Sequence, residues 1–353
     1  MAEASRLTGV ILSREDDEGS GTNFGILRRA APAQDDTLSL PLTIAIVTWN
    51  SERWIERCLK SIPAACAGLV YEVVLYDNSS SDRTLDVVGD DVRSIASEVN
   101  DGFAGAINRA ITAVRGPYVF LLNPDCELAP RSLAVLVDFL RTHPTAAAAA
   151  PLLDDERGNS QREFQFRRFP TLMTFAAEVL AVDKLFPSNR VTASYRYRDL
   201  DLTRPQIIDQ PAAAALLIRR EVFNVVGPLD EQFFPAWFED VDYCRRLAAA
   251  GMEIWVVPAA QARHFGGASL EHVPFGRFID LWYGNMWRYA RKWFRPGESE
   301  ALRWIIMMGM VLRLLPAAVG VAHPEVGRWE ALKAYSGVLK KAFDRWGDRS
   351  PSS

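Results

Sequence analysis

The sequence lacks several patterns that would assign it at once to a class of protein. Its four cysteines have no Cys-x-x-Cys spacing and no short disulfide framework, so we expect reduced thiols in a cytoplasmic protein. Neither Gly-x-Gly-x-x-Gly nor Gly-x-x-x-x-Gly-Lys-Ser/Thr is present, which argues against a dinucleotide-dependent dehydrogenase and against a P-loop enzyme. No apolar signal core follows a positively charged start, so we expect a protein that is not exported.

Composition and charge divide the 353 residues into three predicted regions. Hydrophobic residues make up 49% and charged residues 24%, which is enough apolar material for a large core. The chain is long for one domain, so we expect a core domain with appendages. We predict a mobile leader over 1–40, an α/β domain over 41–270 and a helical region over 271–353. Their formal net charges are −3, −6 and +5. The basic last region suits an anionic surface, and its aromatic and aliphatic content favours a membrane over nucleic acid.

Three apolar runs with strand-forming residues alternate with helical spacing. They cover Leu42–Val47, Tyr71–Tyr76 and Tyr118–Leu122. After the first run, apolar residues recur at helical intervals from residue 55 to 62, and we expect Pro63 to end that helix. Strands that alternate with helices over about 80 residues predict a parallel, nucleotide-binding type of α/β sheet.

Polar side chains follow each of these runs, at the sheet edge where open α/β folds bind ligands. They are Thr48 and Asn50 after the first run, Asp77 after the second, Asn100 and Gly102 before the next helix, and Asn123 and Asp125 after the third. Asn123 and Asp125 flank a proline like the ends of an Asp-x-Asp, a hard-oxygen site suited to Mg²⁺ or Mn²⁺ with a diphosphate. Taken alone, the same three residues are explained more simply by ordinary turn chemistry.

A second acidic cluster begins a predicted helix after an aromatic loop. Glu239, Asp240 and Asp242 lie where the helix dipole favours carboxylates, which explains them without any chemistry. Trp237 and Phe238 would also partly desolvate a neighbouring carboxylate, which suits a general base, and only one acid needs that role. His264, at the end of a predicted strand, is either a packed side chain or the completion of a carboxylate metal site.

Together these segments resemble the inverting glycosyltransferases of family 2, in the rhamnosyltransferase-like branch. The resemblance spans about residues 42–270 and is specific because the segments share the family's order. The matching segments are Thr48-Trp-Asn-Ser51, Tyr76-Asp-Asn-Ser-Ser80, Asn100-Asp-Gly-Phe-Ala104, Leu122-Asn-Pro-Asp125, Arg168-Phe-Pro170, Leu229-Asp-Glu-Gln-Phe-Phe234, Phe238-Glu-Asp-Val-Asp-Tyr-Cys-Arg-Arg246 and His264-Phe-Gly-Gly267.

The resemblance implies a GT-A fold over 41–270, with a Rossmann-like, mixed but mostly parallel sheet flanked by helices. It also implies a dTDP-, UDP- or GDP-linked sugar donor and a Mg²⁺ or Mn²⁺ ion. Carried over by position, the donor would be bound by Thr48, Asn50, Asp77, Asn100, Gly102, Asn123 and Asp125, with Asp77 at the nucleoside. Asp125 would ligate the metal together with His264, Asp240 would be the general base, and Trp237 and Glu239 would lie on the acceptor side.

The chain departs from the family at two places on that acceptor side, Gln210–Ala215 and Pro235–Trp237. The function implied is transfer of a sugar, with L-rhamnose a candidate, to a hydroxyl of a cell-surface glycan or polyprenyl-linked saccharide. An alternative of another class is an inactive sugar-nucleotide-binding or scaffold subunit. A nucleotidyltransferase would need a glycine-rich phosphate loop after the first strand, which is not present.

The C-terminal region contains a strongly amphipathic stretch. Over Met286–Arg295 the apolar and basic residues fall on separate faces of a helix, and nine apolar residues at 304–312 precede Arg313. Arg313 and Pro316 argue against a bilayer crossing, which needs about 20 apolar residues. We predict an interfacial helix pair that makes the protein peripheral on the inner face of the cell membrane. The same helices would also suit a cover for the catalytic domain or a homo-oligomer contact.

Overall fold

The computed structural model describes residues 25–26, 42–112, 114, 116–266, 273–320 and 326–347. The leader predicted over 1–40 lies outside these ranges apart from strand β1, Gly25–Ile26. The next strand is β2, Leu42–Thr48.

The first half of the sheet is parallel and places its polar strand ends together. Strand β2 lies between β3, Tyr71–Asp77, and β5, Tyr118–Leu122, while β4, Arg93–Ala96, extends the sheet beyond β3 and pairs antiparallel with β1. The apolar runs are buried between layers of helices, as expected for parallel strands. Helix α1, Glu52–Cys66, continues past Pro63, so our prediction that this proline ends the helix is wrong.

The second half of the sheet mixes strand directions. Strand β11, Ala215–Arg219, runs antiparallel between β5 and β7, Ala146–Asp154. Beyond β7 come the parallel β12, Glu253–His264, and the antiparallel β6, Cys126–Leu128. The strand order is β1-β4-β3-β2-β5-β11-β7-β12-β6. This confirms a mixed sheet flanked by helices.

Three short strands complete the described sheets. Strand β9, Gln206–Ile207, pairs with β12, whereas β8, Phe166–Arg167, and β10, Gln210–Pro211, form a separate ribbon. Residues 212–214 separate β10 from β11.

Helices cover both faces of the sheet and continue into a C-terminal group. Those within the α/β part are α2 Gly102–Thr112, α3 Ser132–Thr142, α4 Arg162–Gln165, α5 Leu172–Val179, α6 Val182–Leu185, α7 Arg190–Tyr195, α8 Val222–Val226 and α9 Glu239–Ala249, with a 3₁₀ turn at Leu85–Val87. The C-terminal helices are α10 Phe275–Trp293, α11 Pro296–Ala318 and α12 Arg328–Phe343.

The apolar face of α10 is buried inside the protein. Met286, Tyr289 and Ala290 are fully buried in one cluster with Phe175 of α5 and Phe238 at the start of α9. This face is therefore not available to a membrane, contrary to our prediction for Met286–Arg295. Helix α10 instead covers the catalytic domain, which was the alternative interpretation of this segment.

A buried carboxylate fastens α10 to α9. Asp242 is fully buried, and its carboxylate accepts hydrogen bonds from the Arg246 Nε at 3.0 Å and the Trp293 Nε1 at 2.8 Å. Lys292 forms an ion pair with the same carboxylate at 2.9 Å. These partners fully occupy Asp242, so of the three acids in the cluster it serves the packing of the helices.

Candidate active site

Thr48 and Asp77 meet at the ends of neighbouring parallel strands. The Asp77 Oδ1 accepts hydrogen bonds from the Thr48 Oγ1 at 2.7 Å and the Ser80 Oγ at 2.6 Å, and its Oδ2 accepts one from the Ser80 N–H at 2.9 Å. Both residues are buried. The structure therefore brings these two predicted donor-site residues together and holds the loop after β3 against β2.

Asn50 joins the same group through the loop after β3. Its N–H donates to the Ser80 Oγ at 2.8 Å, and its Oδ1 accepts from the Ser81 N–H at 2.7 Å. The backbone of Asn50 is left-handed, with φ +52°, a conformation that asparagine tolerates better than most residues. Asn50 thus lies beside the Asp77 group, and its predicted contact with the donor stays a prediction.

Gly102 allows the start of α2 to approach the loop that precedes the acidic cluster. Its φ is +74°, and the adjacent Phe103 N–H donates to the Pro235 carbonyl oxygen at 2.6 Å. A Cβ on Gly102 would lie 2.8 Å from that oxygen. The Asn100 Oδ1 accepts from the Gly102 N–H, and the Asn78 Nδ2 donates to the Gly102 carbonyl. Sequence reasoning predicted the donor side for Gly102 and missed its contact with Pro235.

Asp125 and His264 face each other across the junction of β6 and β12. The Asp125 Oδ1 lies 3.5 Å from the His264 Nε2, and both residues are about 95% buried. No residue in the described ranges gives this oxygen a hydrogen bond. The antiparallel pairing of Cys126 with His264 produces the approach. Two residues far apart in sequence, both predicted as metal ligands, are therefore adjacent.

Gln161 fixes the tautomer of His264. Its Nε2 donates to the His264 carbonyl oxygen at 2.8 Å, which determines the orientation of the amide, so its Oε1 faces the His264 Nδ1 at 2.9 Å. The Nδ1 therefore carries the hydrogen, and burial lowers the pKa of His264, which keeps the ring neutral. The Nε2 lone pair then points to Asp125. Gln161 carries no motif that could have revealed this role.

This pair of acceptor atoms fits a divalent cation. The lone pair of the His264 Nε2 and the Asp125 carboxylate oxygen repel each other because no hydrogen lies between them. A cation bound between the two atoms would attract both of them. If two atoms bind the same ion at about 2.1 Å each, the distance between them is at most about 4.2 Å. The distance of 3.5 Å between the Asp125 Oδ1 and the His264 Nε2 is within this limit. Cys126 lies nearby, but burial raises the pKa of its thiol and it donates to the Ala214 carbonyl. Asp125 and His264, rather than Cys126, are therefore the two residues whose facing atoms fit a shared cation.

Glu239 and Asp240 differ in their hydrogen bonds. The Asp240 carboxylate accepts from the Val241 N–H at 2.8 Å and the Ala213 N–H at 3.3 Å, and burial raises its pKa. Glu239 has one carboxylate oxygen without a partner in the described chain. Burial first, and then the charge of Asp240, raises the pKa of Glu239 well above its ordinary value. Burial therefore favours the neutral form of Glu239, whereas the two N–H groups that donate to Asp240 favour its charged form.

Two consecutive alanines connect Asp240 to the loop that carries Asp125. The Asn123 N–H donates to the Ala214 carbonyl at 2.8 Å, while the Ala213 N–H donates to the Asp240 Oδ2. The acid at the start of α9 and the Asn123–Asp125 loop thus lie on either side of one short backbone segment. The sequence placed them 115 residues apart, and β11 brings them together.

Left-handed backbone shapes the loop before Asp240. Trp237 and Phe238 have φ values of +74° and +75°, which bulky residues adopt only under constraint. The Asn285 side chain on α10 supplies part of that constraint, because its Nδ2 donates to the carbonyls of Ala236 and Trp237. The Trp237 ring lies edge-on to Phe278, with centroids 5.1 Å apart. The predicted acceptor-side loop is thus held by a C-terminal helix.

The fold is that of the GT-A glycosyltransferases. The mannosyltransferase PcManGT from Pyrobaculum calidifontis, solved with GDP-Man and Mn²⁺, covers 92% of each chain with a TM-score of 0.50 and 16% identity. The family described as "Glycosyl transferase family 2" matches residues 43–226, just over half of the chain. The chain therefore belongs to glycosyltransferase family 2 and is a glycosyltransferase. Asp240 and His264 lie beyond the matched range.

Two curated relatives confirm the predicted branch. The N-acetylglucosaminyl-diphospho-decaprenol L-rhamnosyltransferase of Mycobacterium tuberculosis is 29% identical over 297 residues, covering 77% of this chain and 94% of the relative. Rhamnosyltransferase WbbL of Escherichia coli K12 is 25% identical over 232 residues, covering 63% of this chain and 82% of the relative.

Replacing Gly102 by alanine is expected to damage both the fold and sugar transfer. The left-handed backbone costs about 1–2 kcal/mol with a Cβ, and the clash with the Pro235 oxygen displaces the loop before Asp240. A displacement of about 1 Å would lower kcat/KM for transfer about 100-fold. Denaturant unfolding and steady-state transfer rates measure the two effects.

Gly158→Ala is the matched control for this change. Gly158 has φ +79°, and nothing lies within 4 Å of the position of its Cβ. It should lose only the backbone contribution to stability and keep its transfer rate. Equal losses in the two variants would contradict a special role for the contact between Gly102 and Pro235.

Proposed function

We propose that this protein is an inverting, metal-dependent glycosyltransferase that moves a sugar from a nucleoside-diphosphate donor to a hydroxyl of a lipid-linked saccharide. The backbone segment that joins Asp240 to the Asn123–Asp125 loop supports this proposal most directly. A single displacement at an anomeric carbon needs a base for the acceptor hydroxyl and a metal site for the leaving diphosphate. Asp240, whose pKa is raised, and the neighbouring Asn123–Asp125 loop would supply these two parts.

Asp240 is the general base in this proposal. The acceptor hydroxyl loses its proton to the Asp240 carboxylate as its oxygen forms a bond to the anomeric carbon. The bond from that carbon to the donor diphosphate breaks on the opposite side, so the configuration inverts. Burial raises the pKa of Asp240, which makes its carboxylate a stronger base than an exposed aspartate.

Asp125 and His264 would hold the divalent metal, Mg²⁺ or Mn²⁺. When bound, the ion offsets the negative charge that develops on the leaving diphosphate. Asp125 supplies a buried oxygen without a hydrogen-bond partner in the described chain, and His264 supplies a neutral nitrogen. Thr48, Asn50 and Asp77 would line the nucleoside side of the same sheet edge.

The relatives guide the choice of donor and acceptor. Both are named as rhamnosyltransferases, and the mycobacterial one acts on an N-acetylglucosaminyl-diphospho-decaprenol. We therefore infer L-rhamnose from a dTDP-linked donor, with UDP- and GDP-linked donors as the alternatives, and a polyprenyl-diphosphate saccharide as the acceptor. Such an acceptor would place the protein on the inner face of the cell membrane.

Asp240→Asn is expected to lower the transfer rate by a factor of about 100 to 10,000 with donor binding largely retained. The amide keeps the shape of the carboxylate but cannot take the proton. In the unchanged enzyme the base must be ionised, so kcat/KM should fall as the pH decreases through the raised pKa of Asp240. The acid limb should therefore lie above the ordinary aspartate value of about 3.9.

The same change one residue earlier provides the comparison. Glu239→Gln should lose less than about tenfold in rate, because burial raises the pKa of Glu239 and so favours the neutral form, which cannot act as a base. Calorimetry measures whether each variant still binds the donor nucleotide, and thermal unfolding measures whether each variant is folded. Simultaneous loss of donor binding and transfer in Asp240→Asn, or a larger loss in Glu239→Gln, would show that Asp240 is not the base.

Calorimetric titration with dTDP, UDP and GDP, each with Mn²⁺ or with EDTA, tests the metal and the donor together. One nucleotide should bind with Mn²⁺, and EDTA should weaken that binding about tenfold or more, because Asp125 would hold a metal ion whose charge attracts the diphosphate. Asp125→Asn should remove the difference between Mn²⁺ and EDTA. Binding of dTDP would favour rhamnose, whereas no binding of any nucleotide would favour the inactive-subunit alternative.

Gln161→Leu is expected to weaken Mn²⁺ binding about 10- to 100-fold. Leucine cannot accept from the His264 Nδ1, so the tautomer that directs the Nε2 lone pair to Asp125 is no longer selected. Direct titration of Mn²⁺ by electron paramagnetic resonance measures this without turnover. Gln232→Leu, at an exposed position, is the control, and equal Mn²⁺ affinity in both variants would exclude the role of Gln161.

A further inference from the structure

Helix α11 exposes an unbroken apolar surface. From residue 304 to 319 every exposed residue is apolar. Six of them lie within about 100° of helical arc and extend for about 23 Å along the axis. These residues, the α11 stripe, are Trp304, Met308, Val311, Leu312, Leu315 and Val319, each with 47–73% of its surface exposed. Contiguous apolar surface of this extent marks a contact with a partner or a lipid phase.

The opposite face of α11 is packed against the protein. Leu302, Ile306 and Met310 are fully buried, and the Arg313 Nη1 donates inward to the carbonyls of Val179 at 2.6 Å and Gly309 at 3.0 Å. By length and composition α11 is also the one described helix that would suit a membrane crossing. A helix fastened along one side cannot be surrounded by lipid, so only the stripe is available to a bilayer.

The next helix provides charge that complements an anionic surface. On α12 the exposed residues Trp329, Lys333, Lys340 and Phe343 lie within about 80° of arc. The segment 328–347 carries a formal net charge of +3. Aromatic rings beside lysines are typical of surfaces that lie at the boundary between lipid headgroups and acyl chains.

We propose that the α11 stripe docks on the surface of an anionic lipid bilayer, with the basic face of α12 against the headgroups. This inference rests on the proposed function, because it supplies the surface from which a lipid-linked acceptor would enter. A second copy of this chain fits the stripe less well, since a two-fold contact would bring two +3 segments toward each other.

The stripe is mechanically connected to the acceptor side of the site. Val179 is the last residue of α5, and a Cβ on Gly309 would lie 2.6 Å from its side chain, so α11 and α5 are in close contact. On α5, the Phe175 ring lies edge-on to Phe238 at 5.8 Å, and Phe238 directly precedes Glu239 and Asp240. Docking through α11 would therefore hold the proposed base at a fixed position relative to the bilayer.

Flotation of the full chain with vesicles tests the proposal. The protein should float with phosphatidylglycerol–phosphatidylcholine vesicles and bind pure phosphatidylcholine more weakly. The double variant Leu312→Glu/Leu315→Glu should lose about 100-fold in partitioning, because two exposed leucines that would enter the bilayer are replaced by charges. Val70→Glu/Val225→Glu, which changes two exposed valines elsewhere, should float like the unchanged protein.

Three results would overturn the proposal. The first is flotation of Leu312→Glu/Leu315→Glu equal to that of the unchanged protein. The second is a dimer, seen by light scattering without vesicles, that this variant dissociates. The third is a membrane-bound protein that alkaline carbonate does not extract, which would indicate a crossing. The variant should transfer sugar to a water-soluble acceptor at the same rate as the unchanged protein. If neither protein transfers sugar, the proposed function is wrong, and the flotation result still tests the docking proposal.

Discussion

The active-site edge depends on the antiparallel insertion of β11 between β5 and β7. The residues that lead into β11 form hydrogen bonds in two directions: the Ala214 carbonyl accepts from the Asn123 N–H, and the Ala213 N–H donates to the Asp240 carboxylate. Because the N–H of Ala213 and the carbonyl of the next residue, Ala214, supply these two bonds, one short backbone segment sets the separation between the Asn123–Asp125 loop and the Asp240 carboxylate. Both alanines are buried, so a longer side chain at either position would meet packed neighbours.

The three acids at the start of α9 are equivalent in the sequence and distinct in the structure. Asp242 is paired with Arg246 and Lys292, Glu239 is buried without such a partner, and Asp240 accepts two backbone N–H groups. The helix dipole acts on all of them and cannot separate their roles. Burial and the identity of each partner separate them, and this difference supports Asp240 as the acid that we propose as the general base.

The parallel strands β2, β3 and β5 could be predicted because they are continuous runs rich in aliphatic and aromatic residues. Strand β5 begins and ends where the pattern places it. Strand β7 was missed, since alanine has low strand propensity, yet its alanines fit between β11 and β12 in the middle of the sheet. Gln161 and the approach of Gly102 to Pro235 were missed because each depends on a contact between segments distant in sequence.

The C-terminal helices show why an amphipathic pattern predicts burial without naming the partner. The apolar face of α10 meets aromatic rings of α5 and α9, so the protein itself satisfies it. Helix α11 is apolar on two sides: Ile306 and Met310 face inward, whereas Met308 and Leu312 face outward. A helix with two apolar sides needs apolar surroundings on both, and the described part of the chain covers only the inward side of α11. The uncovered side is rigidly joined, through α5 and Phe238, to the acid proposed as the base.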